Sequence, residues 1–270
     1  MIYLKTLFSS PYEIKFLKLS LRESSGYIDK FIICEFDHTH TGLKKPLIFK
    51  NYLESFTTQE KKKIVYLGVT TLDDFLLAGD NEKLAHRNEL LMRGYFVKQV
   101  GLNRNDIIIS LDADEIIYRQ NYNDIFNRLG LFTKAVTVPL YQFFYKINYL
   151  WENNKFIAPT ICFADYYKNK FPAPWRYEGK IYSDIVGGHF SWCLSIADMI
   201  KKIKNYAHSQ KYIHLAKKDV LESAVKNKTY PFDPKVNFQI KVLNIYRDVK
   251  YYPKSLYDLL PEFTDLIAEI

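Results

Sequence analysis

The residues most able to do chemistry stand together in Asp106-Ile107-Ile108-Ile109-Ser110-Leu111-Asp112-Ala113-Asp114-Glu115. An apolar run, interrupted once by serine, leads into three acids within four positions. The run predicts a buried strand in a parallel sheet, and open α/β sheets bind ligands at the carboxyl ends of such strands. Asp112 and Asp114 are two apart, so in extended backbone they share one face. Two carboxylates side by side in a cleft repel unless a cation lies between them. Mg²⁺ or Mn²⁺ suits oxygen ligands and bridges to substrate phosphates, which makes Asp112 and Asp114 candidate metal ligands. The alternative is a solvated acidic turn after a core strand.

Four further residues are candidates for the same site. His189 follows Gly187-Gly188 and precedes an aromatic-rich segment read as a turn; paired glycines permit close approach of a ligand. His208 lies in Tyr206-Ala207-His208-Ser209, just beyond an expected helix. Either histidine is a candidate to complete a metal shell or to bind a diphosphate, or else is a hydrogen-bonded structural residue. Glu35 ends an apolar run and so falls at a strand's carboxyl end, where it would accept hydrogen bonds from a base or ribose, or stand as a surface acid. Arg87, on an expected helix, would face a diphosphate or be solvated.

These residues need a frame to hold them. Ile2–Phe8 reads as a strand, Ser9-Ser10-Pro11 as a turn and helix start, and Ile14, Phe16, Leu17 and Leu21 as the apolar face of a helix. Ser24-Ser25-Gly26 ends that helix, and Lys30–Glu35 is a second strand, giving a right-handed βαβ unit. Lys63–Leu67 is a third strand. A helix is expected over Asn81–Val100, closed by Gly101 as its cap, and the acid-tipped strand follows. Residues 1–115 thus alternate β and α, the pattern of a Rossmann-like nucleotide-binding sheet. Neither a Gly-x-Gly-x-x-Gly fingerprint nor a Gly-x-x-x-x-Gly-Lys loop is present, so dinucleotide enzymes and phosphate-loop NTPases are poor readings. The second half is mixed. Ala135–Tyr149 and Lys155–Phe163 are strand-like, Ile181–Val186 is a short strand, and a helix runs from Ser195 to about Tyr206. With no composition break, one domain is expected over 1–270, its nucleotide-binding half being 1–115 and its acceptor-binding half 116–270.

At 270 residues, 48% of them apolar, the chain has material for a substantial core. The 22 Tyr and 19 Phe bring the aromatic share to a high 16%, and core packing is the first reading for most of these rings. The net charge of +8 is dispersed, without the basic arrays of nucleic-acid binders. It is read as solubility, with peripheral membrane contact as a second use. Cys34, Cys162 and Cys193 are widely spaced and odd in number, hence expected as buried thiols. The start, Met1-Ile2-Tyr3-Leu4-Lys5, is not a secretory signal, and no apolar stretch approaches ~20 residues. The expected location is cytoplasmic.

In its ordered blocks the sequence resembles glycosyltransferase family 17, the group with the β-1,4-mannosyl-glycoprotein N-acetylglucosaminyltransferase. The blocks are Leu19-Ser20-Leu21-Arg22-Glu23; Phe31–Glu35 with Thr39-His40-Thr41-Gly42 and Lys45-Pro46-Leu47; His86-Arg87-Asn88; Asp106–Glu115; Gly187–Cys193; and Ala207-His208. The resemblance spans roughly 2–215. Gln210 replaces an acid of the family's last block, Gly188 a Trp and His40 a Phe.

The resemblance implies a GT-A fold, mainly parallel at its nucleotide-binding sheet, and an inverting transfer from a UDP-sugar, GlcNAc or a related hexose, to a glycan or lipid-linked glycan. It implies Mn²⁺ or Mg²⁺ on Asp114, Asp112 at ribose or metal-bound water, and His189 as a third protein ligand. Glu35 would then lie near the nucleoside, Arg87 and His208 near the diphosphate. Inversion calls for a carboxylate base; Asp184 is the candidate because it precedes the Gly-Gly-His segment, with Glu178 and Asp165 behind it. The competing readings are a metal-dependent phosphoesterase or nuclease and a non-catalytic carbohydrate-binding protein.

Overall fold

Ile2–Phe8 forms β1, buried on both faces as a central parallel strand must be. Its side chains alternate: Leu4 and Phe8 enter one core, Tyr3 and Leu7 the other. The computed structural model describes residues 1–70, 81–170, 176–205 and 209–269. After β1, a single 3-10 turn at Pro11–Glu13 leads into α1 (Ile14–Ser24), which returns the chain to β2 (Lys30–Phe36). A 3-10 segment, Phe49–Ser55, and α2 (Thr58–Lys63) lead to β3 (Ile64–Val69). Next come α3 (Glu82–Gly94) and β4 (Ile107–Ser110). The strands β3, β2, β1 and β4 lie side by side and parallel, in that order. The chain builds outward from β1 to β3, then crosses back to lay β4 on the other side of β1. A crevice opens at the carboxyl ends of β1 and β4, where the order reverses.

The second half is mixed, as expected. It contains β5 (Glu115–Ile117), α4 (Tyr122–Arg128), β6 (Ala135–Phe144), β7 (Lys146–Phe163) and α5 (Ala164–Lys170). Then follow β8 (Lys180–Ile181), β9 (Gly187–Ser191), α6 (Ile196–Asn205), α7 (Ser209–Tyr212), α8 (Lys218–Asn227), β10 (Ile240–Val242) and α9 (Leu256–Leu259). The sheet continues from β4 through β7, β6 and β9 to β5, with β7 antiparallel to both β4 and β6, and β9 parallel to β6. The fold is α/β, with a curled mixed sheet.

Four local expectations change, the first being the strand over Ile181–Val186: strand there is confined to β8, Lys180–Ile181. The α-helix ends at Gly94, not near Val100; a 3-10 turn over Tyr95–Lys98 follows, and Gly101 lies beyond it without a left-handed backbone. Ala135–Tyr149 is not one strand: the chain reverses at Tyr145, which takes φ 69°, and β7 then runs unbroken for 18 residues. The Tyr145 hydroxyl donates to the Thr229 carbonyl at 2.9 Å, which fixes that reversal. Gly187-Gly188-His189 is strand, not turn. A Cβ at Gly187 would lie 2.0 Å from the Ile116 carbonyl oxygen, so these glycines admit the neighbouring strand rather than a ligand.

The aromatic excess is largely core. Phe144, Trp151, Tyr230 and Phe238 pack edge-on or tilted against one another under the second half. All three cysteines are buried free thiols. Among the described residues no helix is long and apolar enough to cross a membrane.

Candidate active site

The crevice at the switch point is a cavity of about 290 Å³. Its walls come from four places: the β1–α1 loop with Ser9, Tyr12 and Glu13; the loop after β2 with His38, Thr39, His40 and Lys45; α3 with Glu89 and Arg93; and α6 with Lys202 and Asn205. Asp112, Ala113 and Asp114 complete it.

Asp112-Ala113-Asp114 is a tight turn between β4 and β5, not the extended pair expected from the spacing: the Glu115 amide closes it onto the Asp112 carbonyl at 3.0 Å. The two carboxylates therefore face different partners. Asp112 takes a fork from Arg93, with Nη2 at 3.0 Å from Oδ2, and a further bond from Arg176. Burial alone would raise the Asp112 carboxyl, but Arg176 and Arg93 outweigh it and hold the group well below the usual carboxylate range. Asp114 has Lys202 Nζ at 3.3 Å on one oxygen and His189 Nε2 at 3.6 Å on the other. Here too burial is overridden, by Lys202 and then His189, and the carboxyl sits at about 2. His189 is oriented by Gln142, whose Oε1 lies 3.0 Å from Nδ1, and its ring packs tilted against Phe156, with centroids 3.9 Å apart.

Behind the turn, Glu115 is fully buried and bonded to Arg176, and its Oε2 accepts from the Asp112 amide at 2.9 Å. Burial raises its carboxyl. Arg176 Nη1 is buried without a hydrogen-bond partner. Lys5, on β1, is completely buried and reaches Ser110 Oγ at 3.3 Å; burial and the nearby Arg93 lower its ammonium to about 7.

The sequence candidates are distributed unevenly over this site. Asp112, Asp114 and His189 are brought together. They do not form a three-ligand metal shell: both oxygens of Asp112 are held by guanidinium groups, and among the described residues no cluster of three His, Cys, Asp or Glu is arranged to hold an ion. Asp114 lines the cavity with Glu13 and Glu89, and one carboxylate with substrate phosphates is a sufficient protein contribution for Mg²⁺. Glu35 is fully buried beside the cavity. Its oxygens accept from the Ile48 and Phe49 amides at 2.8 and 3.0 Å and from the Tyr66 hydroxyl at 2.8 Å. It pins the loop after β2 instead of reaching a nucleoside. Arg87 is exposed on α3; the arginine of that helix that reaches the acids is Arg93, nearly two turns further on. His208 lies outside the described residues.

None of the three expected bases lines the cavity. Asp184 is exposed before β9, and pairing of Gly187 with Ile117 and of His189 with Glu115 puts it at the end of β9 away from Asp114. Asp165 is exposed at the start of α5, beside the amino end of β4, because Phe163 pairs with Ile107. Glu178 accepts from the Tyr166 hydroxyl at 2.6 Å and is turned away from the cavity, although Thr137, level with Ser110 at the carboxyl end of β4, donates to its backbone carbonyl.

Four functional candidates were missed. Arg93 was hidden among helical arginines, and Lys202 within a lysine cluster read as solvated. Arg176 follows the sequence Phe171-Pro172-Ala173-Pro174-Trp175, which has no periodicity to place it. Glu13 was legible: Ser10-x-x-Glu13 before an apolar run is a capping box. Glu13 Oε2 accepts from the Ser9 amide and Oε1 from the Ser9 hydroxyl, both at 2.7 Å. Burial nevertheless raises its carboxyl to about 7.

An α/β sheet with acids and cations gathered in a crevice at its switch point has the layout of a transferase site. The model of glycosyltransferase family 17 matches residues 2–232, so the chain belongs to that family and is a glycosyltransferase. No curated protein matches it by sequence. Similar solved structures include a 4-diphosphocytidyl-2C-methyl-D-erythritol synthase from Anaerococcus prevotii, at 16% identity and TM-score 0.40, covering 70% of this chain and 90% of that one. Another is an active-site mutant of LgtC, at 8% identity and TM-score 0.34, covering 62% and 59%. At these scores neither adds to the assignment.

Proposed function

We propose that this glycosyltransferase moves a hexose, GlcNAc or a related sugar, from a UDP-sugar to a hydroxyl of a glycan or lipid-linked glycan, with inversion. The observation that carries the reading is the pairing of Asp114 with Lys202 at the wall of the switch-point cavity, beside Arg93 and Asp112. The donor's diphosphate is the leaving group, and cations fixed in advance where charge develops lower the barrier. Lys202 and Arg93 are such cations at the cavity wall, and Arg176 stands behind them on Asp112 and Glu115. Mn²⁺ or Mg²⁺, held by Asp114, would supply further neutralisation of the leaving diphosphate.

Glu13 takes the role first given to Asp184. It lines the cavity, and a carboxyl near 7 suits a base working at neutral pH. The acceptor oxygen attacks the anomeric carbon as the bond to the diphosphate breaks. The hydroxyl proton passes to Glu13, and UDP leaves with the bonding pair.

Donor calorimetry and turnover test this together. Glu13→Gln should keep donor affinity and lose about 10²–10⁴-fold in turnover. Asp114→Ala should weaken UDP binding and abolish its dependence on Mn²⁺. Wild-type protein that binds UDP equally with and without chelator would remove the metal from the reading. Protein that binds no nucleotide sugar at all would remove the reading itself.

A further inference from the structure

We infer that the turn between α4 and β6 is a docking tip for an anionic lipid bilayer. The turn is closed by the Gly130 amide on the Thr133 carbonyl at 3.0 Å, which throws Leu131 and Phe132 outward. They are 77% and 97% exposed, adjacent in sequence, and at the tip of the loop. Single exposed apolar residues are ordinary. A leucine–phenylalanine pair at a turn, where chains favour polar residues, is not.

The surroundings select the occupant. Ile181, 59% exposed, lies on β8, which pairs with β6 just past the tip through Val136–Lys180 and Thr137–Ile181. Arg128, at the end of α4, lies 5.7 Å over the Tyr182 ring, and Lys134 Nζ lies 5.3 Å over Phe163. Arg128, Lys134 and Lys180 are exposed around the apolar pair, on a chain of net charge +8. Exposed acids also lie near, Asp124 on α4 and Asp184 beyond Tyr182. Apolar side chains at the acyl boundary with lysine and arginine at the headgroups is the arrangement of an interfacial anchor. Two such side chains offer on the order of 350 Å², well short of the roughly 800 Å² per partner of a stable protein interface. A bilayer needs no matching partner surface.

Position makes the proposal independent of the transfer reaction. Cys162 pairs with both Ala135 and Ile108, so the tip emerges at the amino edge of β4, while the acidic turn stands at its carboxyl edge. The tip would locate the enzyme on the membrane with the cavity facing elsewhere.

The test is co-sedimentation with phosphatidylcholine vesicles, with and without phosphatidylserine. The full chain should sediment with the anionic vesicles only, and less at high salt. The double variant Leu131→Ser/Phe132→Ser should bind at least about tenfold more weakly, since two apolar side chains no longer enter the bilayer, with unchanged circular dichroism. Phe132→Trp should keep binding and add an emission that shifts to shorter wavelength on anionic vesicles. Asp114→Ala should bind vesicles like wild type, which separates this result from the fate of the transferase reading. Wild type left in the supernatant, a double variant that binds as well as wild type, or an added indole emission in Phe132→Trp that vesicles leave unmoved overturns the proposal. So does a fall in solution mass in the double variant, which would assign the tip to a second copy.

Discussion

Lys202 and Asp114 show what a single pair contributes here. Both are mostly buried, with side chains 23% and 17% exposed. Lys202→Met would leave Asp114 with His189 as its remaining partner. Losing one member of a fully buried pair costs about 3–5 kcal/mol, and partial exposure reduces this to about 1–2 kcal/mol, measurable as a lowered urea midpoint. The pair also has a pH signature. Asp114 is held at about 2 in the fold, below the ordinary 3.8. Its stabilisation is present above the ordinary value and lost as pH falls from about 4 to about 2. Urea midpoints across that window should fall less steeply in Lys202→Met. At this scale the sequence was half legible. Asp112 and Asp114 were found because three acids after an apolar run are conspicuous. Their cations were not, because which helical arginine or lysine turns inward depends on packing. Asp112 was given an ion where the fold gives it Arg93 and Arg176.

The elements were read better than the side chains. Parallel strands are continuous apolar runs, so β1, β2, β3 and β4 were legible, as was α1 from its periodicity. The glycines were misread. A Cβ at Gly187 would strike the Ile116 carbonyl oxygen, and Gly187→Ala should cost about 3 kcal/mol by forcing β9 from β5. Nothing lies within 4 Å of a Cβ at Gly101, and Gly101→Ala should stay within about 0.5 kcal/mol of wild type. Thermal melts of the two variants separate a packing glycine from an idle one. Asp184 failed for a related reason. It precedes the glycines in sequence, but β9 carries the chain the length of a strand before reaching Asp114. Antiparallel register, invisible without the partner strand, decided which end it occupies. Asp184→Asn should leave turnover unchanged, and a large loss would return the base to it.

At the scale of the molecule, Glu23 joins parts that no local pattern connects. It is fully buried on α1, and its oxygens accept from the Arg119 and Ser255 amides, both at 2.9 Å, and from the Arg119 guanidinium. Burial opposes its charge, but these bonds prevail and lower its carboxyl. Glu23→Ala would strand an arginine and two amides. The expected cost is about 3 kcal/mol, or ~6–12 °C in Tm for a chain of this size, read by calorimetry. The mixed second half was legible as strands but not as an order of strands, because its pairings join residues far apart. That distance has a consequence during synthesis. Lys202 meets Asp114 across 88 positions, and the Asp114 carbonyl accepts from the Phe190 amide at 2.8 Å. A nascent chain that ends at β6 already carries β1 to β4 and both aspartates, with Arg93 beside them but neither Arg176, His189 nor Lys202. The scaffold can condense early, as domains do while emerging from the ribosome, whereas the donor site assembles only after α6 has left the exit tunnel. A ribosome stalled between those two points should display a protease-resistant sheet that does not retain UDP.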